Sequence, residues 1–188
     1  MSLNGKLTIN LLGKNVDPTL FRSMIGSFLY LTASRPDISY SVGVCARYQS
    51  NPKESYVTTV KSIIKYIKST SNFGVWYDKD TNDVLAGYSD VDWAGNANDR
   101  KSTSDGCFYL GNNLVSWMSK KQNTISLSTA KTRYIAAGSC CTQLFWMQKL
   151  LVDYDICQKH LTIYYDNTSA INISKNPFQH SRTKYIEI

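Results

Sequence analysis

Two segments of this sequence share one plan, and the plan calls for a sheet. Val84 to Gly95 and Leu161 to Ala170 are each a short apolar and β-branched run ending in an acid, followed by small polar residues. The acids are Asp90 in the first and Asp166 in the second. Runs of this kind form strands. Between them lies the longest helical pattern of the chain, Thr129 to Leu151, which opens with Ser128-Thr129-Ala130-Lys131-Thr132-Arg133-Tyr134. Carboxylates at the ends of neighbouring strands and on an adjoining helix can hold a pair of divalent metals for phosphodiester cleavage. Here the helical member is Lys131, and an ammonium group cannot be a metal ligand.

The rest of the second half supplies the other strands. Phe73 to Tyr77 and Val84 to Ser89 read as strands separated by the turn-like Asp78 to Asp83. Gly106 to Leu110 and Leu114 to Met118 flank Gly111-Asn112-Asn113, a hairpin signal, and Thr124 to Leu127 reads as one more short strand. Leu161 to Tyr165 is the last strand, followed by a short helix over Thr168 to Lys175 that Asn176-Pro177 stops. Strands, then helix, strand and helix, predict a mixed α/β sheet with helices packed against it.

The first half is helical. Asp17-Pro18 places a capping acid before a proline at the first helical position, and Leu20, Met24, Phe28 and Leu31 recur at helical spacing. Pro36 restarts the pattern, with Ile38, Val42 and Cys45 on one face. Asn51-Pro52-Lys53-Glu54 opens a third helix with an apolar seam of Val57, Val60, Ile64 and Ile67, and with Lys61, Lys65 and Lys68 on its polar side. Three such helices make a small bundle, or a subdomain that leans on its neighbour.

Composition excludes several classes. At 43% apolar residues the chain can bury a core, and no run approaches the roughly eighteen apolar residues of a membrane helix. The apolar stretch after Met1 is too short for a signal peptide, so a cytoplasmic or nuclear location is expected. Five cysteines without a C-x-x-C pair point to buried free thiols rather than a zinc site or a disulfide framework. His160 and His180 read as ordinary surface residues. The net charge of +7 suits a polyanionic partner. Residues 1–80 carry ten Lys/Arg against five Asp/Glu, whereas residues 81–188 carry eleven against nine, so the helical half is the more electropositive.

Several blocks resemble copia-type retrotransposon Pol polyproteins. Phe21 to Ile38 is similar to the connecting segment after their polymerase core. Gly87 to Gly95, Arg100 to Ser104, Val115 to Gln122, Ser126 to Ala130, Asp166-Asn167 and His180 to Lys184 are similar to their ribonuclease H domain. The resemblance runs from about Asp17 onward. It implies a helical segment over 1–72 and, over 73–188, a ribonuclease H-like mixed sheet with flanking helices. That sheet is expected to lack its last strand and helix, because the chain stops at Ile188.

The resemblance further implies a Mg²⁺-dependent nuclease that cuts the RNA strand of an RNA–DNA hybrid through four acids and two metals. The first acid falls on Asp90 and the third on Asp166; these are the catalytic and metal-binding candidates. The second, a glutamate, falls on Lys131, and a further family acid that is not a ligand falls on Arg133. The fourth lies beyond the chain, and Glu187 does not stand in for it. The expected protein is therefore a degenerate fragment whose Mg²⁺ binding is lost or weak, and which retains nonspecific binding to hybrid or duplex nucleic acid. Asp166 has a second reading as a helix cap, and Asp92 reads as a loop neighbour of Asp90. Lys131 reads either as an exposed lysine or as an internal counter-ion to Asp90 and Asp166. Arg100, Lys101, Lys120 and Lys121 are candidate phosphate contacts, and Trp93 and Trp117 are candidates for stacking or core packing. The rival expectations are an active ribonuclease H with a recruited carboxylate, and a protein-interaction module that uses an exposed sheet edge, with self-association as one outcome.

Overall fold

The computed structural model describes residues 7–175, in two compact units: 7–75 with Asn96–Asn98, and 76–95 with 99–175. The segment from His180 onward, with Glu187, lies outside the described residues.

The first unit holds α1 (Pro18–Leu31), α2 (Pro36–Ala46) and α3 (Glu54–Ser69). Asp17 caps α1, its side chain accepting the Thr19 amide at 2.9 Å. The core is formed by Phe21, Ile25 and Phe28 of α1, Ile38, Val42 and Cys45 of α2, and Tyr56, Val60 and Ile63 of α3. Two seams differ from expectation by a rotation of one residue, since Leu20 and Ile64 are exposed while Phe21 and Ile63 are buried. Both helices carry adjacent apolar residues at these points, so the pattern permits either face. The larger Phe21 and the partners Tyr56 and Val60 decide which one packs. Burial pushes the Cys45 thiol up to about 11.

Arg35 ties the beginning of α2 to the end of α3. Its Nε donates to Asp37 Oδ1 at 2.9 Å and its Nη2 to Asp37 Oδ2 at 2.7 Å. Nη2 also reaches Thr70 Oγ1 at 2.7 Å, and Nη1 reaches the Thr70 carbonyl at 3.3 Å. The two-pronged bond to Arg35 holds the Asp37 carboxyl below its ordinary value, and Asp37 in turn raises Arg35.

The second unit is a four-stranded mixed sheet ordered β3-β2-β1-β4: β1 (Leu85–Asp92), β2 (Thr103–Leu110), β3 (Asn113–Lys121) and β4 (Thr162–Tyr164). The pairs β1–β2 and β2–β3 are antiparallel, and β1–β4 is parallel. Gly111, at φ 59°, makes the tight turn between β2 and β3, and a Cβ there would stand 2.1 Å from the Asn82 carbonyl oxygen. The long helix α4 (Thr129–Val152) crosses one face and the short α5 (Thr168–Lys175) follows β4. Leu85 and Phe108 form a core with Cys140, Leu144 and Met147 of α4. Contact is close because Gly87 has no side chain: a Cβ would lie 2.8 Å from Cys140 Sγ. Burial pushes the Cys140 thiol up to about 11. The other face of the sheet carries a tyrosine row. Tyr88 stacks on Tyr164 at 4.9 Å and meets Tyr109 edge-on at 5.5 Å.

Two expected strands do not form. Residues 73–77 are irregular, with Phe73, Trp76 and Tyr77 exposed. The chain that follows is tethered by side chains instead of a ladder: Asp78 N donates to Asn113 Oδ1 at 2.6 Å and Asn113 Nδ2 donates to the Asp78 carbonyl at 2.8 Å. Residues 124–127 form the approach to α4, where the Ser126 carbonyl accepts Trp93 Nε1 at 3.3 Å. All five cysteines are free; Cys45 and Cys140 are buried as expected, whereas Cys107 and Cys141 are half-buried and Cys157 is exposed. No described helix is long and apolar enough to cross a membrane.

Candidate functional site

The parallel register of β1 and β4 brings the two strand-ending acids level. Tyr88 pairs with Tyr164, so two residues further on Asp90 and Asp166 stand side by side. Asp90 is still within β1, whereas Asp166 lies just past β4. The capping of α5 falls to Asn167, whose Oδ1 accepts the Ala170 amide at 2.8 Å.

The start of α4 is pinned beside this pair. Ser128 Oγ accepts the Lys131 amide at 3.2 Å, and Thr132 Oγ1 donates to the Ser128 carbonyl at 3.0 Å. Buried Gln122 donates through Nε2 to Ser104 Oγ and to the Thr132 carbonyl, both at 3.0 Å, fastening the first turn to the hairpin. From this turn Arg133 reaches the acids: Nη1 donates to Asp90 Oδ1 at 3.3 Å and also to Asp166 Oδ1. Lys131 is exposed and makes no ion pair among the described residues. Of the two readings of Lys131, the geometry keeps the exposed lysine; the counter-ion is Arg133. Residues two apart on a helix differ by about 200° around its axis, so the rotation that serves Arg133 turns Lys131 away.

Asp105, which the sequence reading passed over, belongs to the same place. It is paired directly with Asp90 across β1–β2, where like charges repel. With Asp90, Asp166, Tyr88, Tyr164 and Ile171 it lines an open cleft of about 670 Å³. The signal available in the sequence is an acid in the interior of a strand.

The candidate phosphate contacts gather at the same end of the sheet. Arg100 and Lys101 lead into β2, and Lys120 and Lys121 end β3 opposite Ser104 and Thr103. Lys121 Nζ is 2.6 Å from Asp99 Oδ2. Burial works to raise the Asp99 carboxyl, but its bonds from Lys121 and the Lys101 amide outweigh this and leave it below its ordinary value. Arg100, Lys101 and Lys120, like Lys131, make no ion pair among the described residues. Trp93 and Trp117 are half-buried rather than presented as free platforms.

The donor set does not fit a two-metal centre. Asp90 and Asp166 share a guanidinium, and the helix brings cations instead of a carboxylate. Among the described residues no group of three or more His, Cys, Asp or Glu is placed to hold a metal ion.

Comparison with known proteins gives consistent relatives. The chain is 35% identical over 189 residues to the retrovirus-related Pol polyprotein from transposon RE2 of Arabidopsis thaliana, covering all of this chain and 13% of that protein. It is 34% identical over 175 residues to the corresponding polyprotein from transposon TNT 1-94 of Nicotiana tabacum, 93% of this chain and 13% of the relative. A shorter protein, secreted RxLR effector protein 161 of Plasmopara viticola, is 35% identical over 128 residues, 68% of this chain and 90% of its own length. No family model and no solved structure matches. The chain thus spans about an eighth of the polyproteins it matches from end to end, and it belongs to the retrovirus-related Pol polyproteins of copia-type transposons.

Proposed function

We propose that the sheet unit is a ribonuclease H-like module that does not cleave RNA–DNA hybrids and binds nucleic acid weakly, through backbone charge. The observation that carries this reading is the composition of one end of the sheet. Four cations that make no ion pair among the described residues, Arg100, Lys101, Lys120 and Lys131, lie on the strand and helix ends there, and the carboxylate pair is already bridged by an arginine. Hydrolysis by two metals needs concentrated negative charge at the reacting phosphate; here the acids are interspersed with cations, and the two strand-ending ones already hold a guanidinium. Cations at element ends suit phosphate contacts, which position a nucleic acid without reading its sequence.

The test has two arms on the purified chain. A labelled hybrid incubated in Mg²⁺ or Mn²⁺ should stay intact; metal-dependent cleavage that disappears in Asp90→Asn would overturn the reading. Duplex affinity measured across a salt series should give log K against log salt a slope on the order of −3 to −4, as about four phosphate contacts require. Salt-independent affinity, or strong preference for one base sequence, would exclude backbone charge as the source.

A further inference from the structure

Arg133 stands where a divalent cation would have to stand. A metal held by two strand-ending carboxylates neutralises them and fixes their spacing. The Arg133 guanidinium fixes the spacing and cancels half of that charge, one nitrogen donating to an oxygen of each acid. Its side chain is 22% exposed, against 77% for Asp90 and 71% for Asp166, so the cation is anchored by packing while the acids remain open to water. The positive pole of α4 adds to its field, and the first turn of that helix contains no acid.

We infer that Arg133 replaces the metal's electrostatic role. It ties β1, β4 and α4 together and excludes divalent cations from Asp90 and Asp166, with Asp105 beside them. This deepens the functional reading above, whose non-cleaving site it explains. It also assigns a cause that single repair at Lys131 does not touch: as long as Arg133 remains, a carboxylate placed at 131 would compete with a cation already seated. Removing Arg133 leaves the Asp90 and Asp166 carboxylates at one end of the cleft with no cation between them. The pair then changes from refusing a dication to accepting one.

The experiment uses the full chain and Mn²⁺ alone as the probe, at low salt because the acids are exposed. Mn²⁺ binding is read by electron paramagnetic resonance, and the melting temperature by near-ultraviolet circular dichroism, with and without chelator. Wild type should bind Mn²⁺ weakly and melt at the same temperature in both conditions. Arg133→Gln should melt lower in chelator, regain part of the loss in Mn²⁺, and bind the ion at least about tenfold more tightly than wild type. Adding Asp90→Asn to Arg133→Gln should abolish that gain, and Lys131→Gln alone should change neither readout. If Arg133→Gln does not fold, Arg133→Lys keeps a charge but loses the fork and should show a smaller gain of the same sign. Wild-type Mn²⁺ binding as tight as that of the Arg133 variants, or variants that fold and bind no more tightly, would overturn the inference. Duplex binding measured on the same samples keeps the outcomes apart: its loss in wild type would refute the nucleic-acid reading and leave the metal result standing.

Discussion

Each unit of this protein contains an arginine that grips aspartate, and the two grips differ in kind. In the helical unit Arg35 is 10% exposed, holds both oxygens of Asp37, and spends its remaining donors on Thr70. In the sheet unit Arg133 shares one nitrogen between two acids that are each more than two-thirds exposed. The first is a structural fastening, closed off and geometrically complete. The second has the form of a site: the acids sit at strand ends, face water, and are brought together by register more than by packing. Burial and completeness of bonding, not the presence of an ion pair, separate the two.

The largest expected effect tests the closed fastening. Arg35→Ala takes the guanidinium from the Asp37 carboxylate and from Thr70, leaving them their bonds to Tyr66, and should cost about 3 kcal/mol in urea unfolding. A loss below about 1 kcal/mol would place Arg35 with ordinary surface pairs and erase the contrast.

Acid should weaken the same fastening next. The Asp37 carboxyl lies below its ordinary value because Arg35 bonds it. Its contribution is therefore present above the unfolded carboxylate range, about 4, and is lost as pH falls through the lower folded value. Helical-unit stability should drop through that window in wild type, and the drop should be smaller in Arg35→Ala. Equal acid limbs in the two proteins would detach the effect from this pair.

The smallest effects belong to the open grip. Arg133→Ala should cost within about 1 kcal/mol, shrinking further as salt rises, since exposed pairs are screened. Lys131→Ala should change stability by no more than about 0.5 kcal/mol. A larger loss at Lys131 than at Arg133 would return the counter-ion role to the lysine.

Much of this architecture was legible because hydrophobic period reports local geometry. The cap at Asp17, the turn at Gly111 and the strand-ending acids all act within a few residues of themselves. What was missed depends on distant partners. Phe73 to Tyr77 has strand composition, but the following segment is held by Asn113, more than thirty residues on, through side-chain bonds. The seams of α1 and α3 were misread by one residue because Leu20-Phe21 and Ile63-Ile64 are each apolar pairs, and only packing chooses between neighbours. The counter-ion role of Arg133 was not legible for the same reason. Whether 131 or 133 faces the acids is set by the rotation of α4, which Ala136, Cys140 and Leu144 decide against the sheet. Asp105 needed the β1–β2 register before its position opposite Asp90 had meaning.

The two cores each seal one thiol, Cys45 in the helical unit and Cys140 against Gly87 in the sheet unit, both pushed up to about 11 by burial. A protonated, enclosed sulfur is nearly inert to alkylating reagents until the surrounding structure opens. Cys140 can react only after α4 lifts from β1, and Cys45 only after the helices part, while exposed Cys157 reacts at once and calibrates the reagent. Alkylation followed by peptide mass would thus time the opening of each unit separately, within a single unlabelled chain.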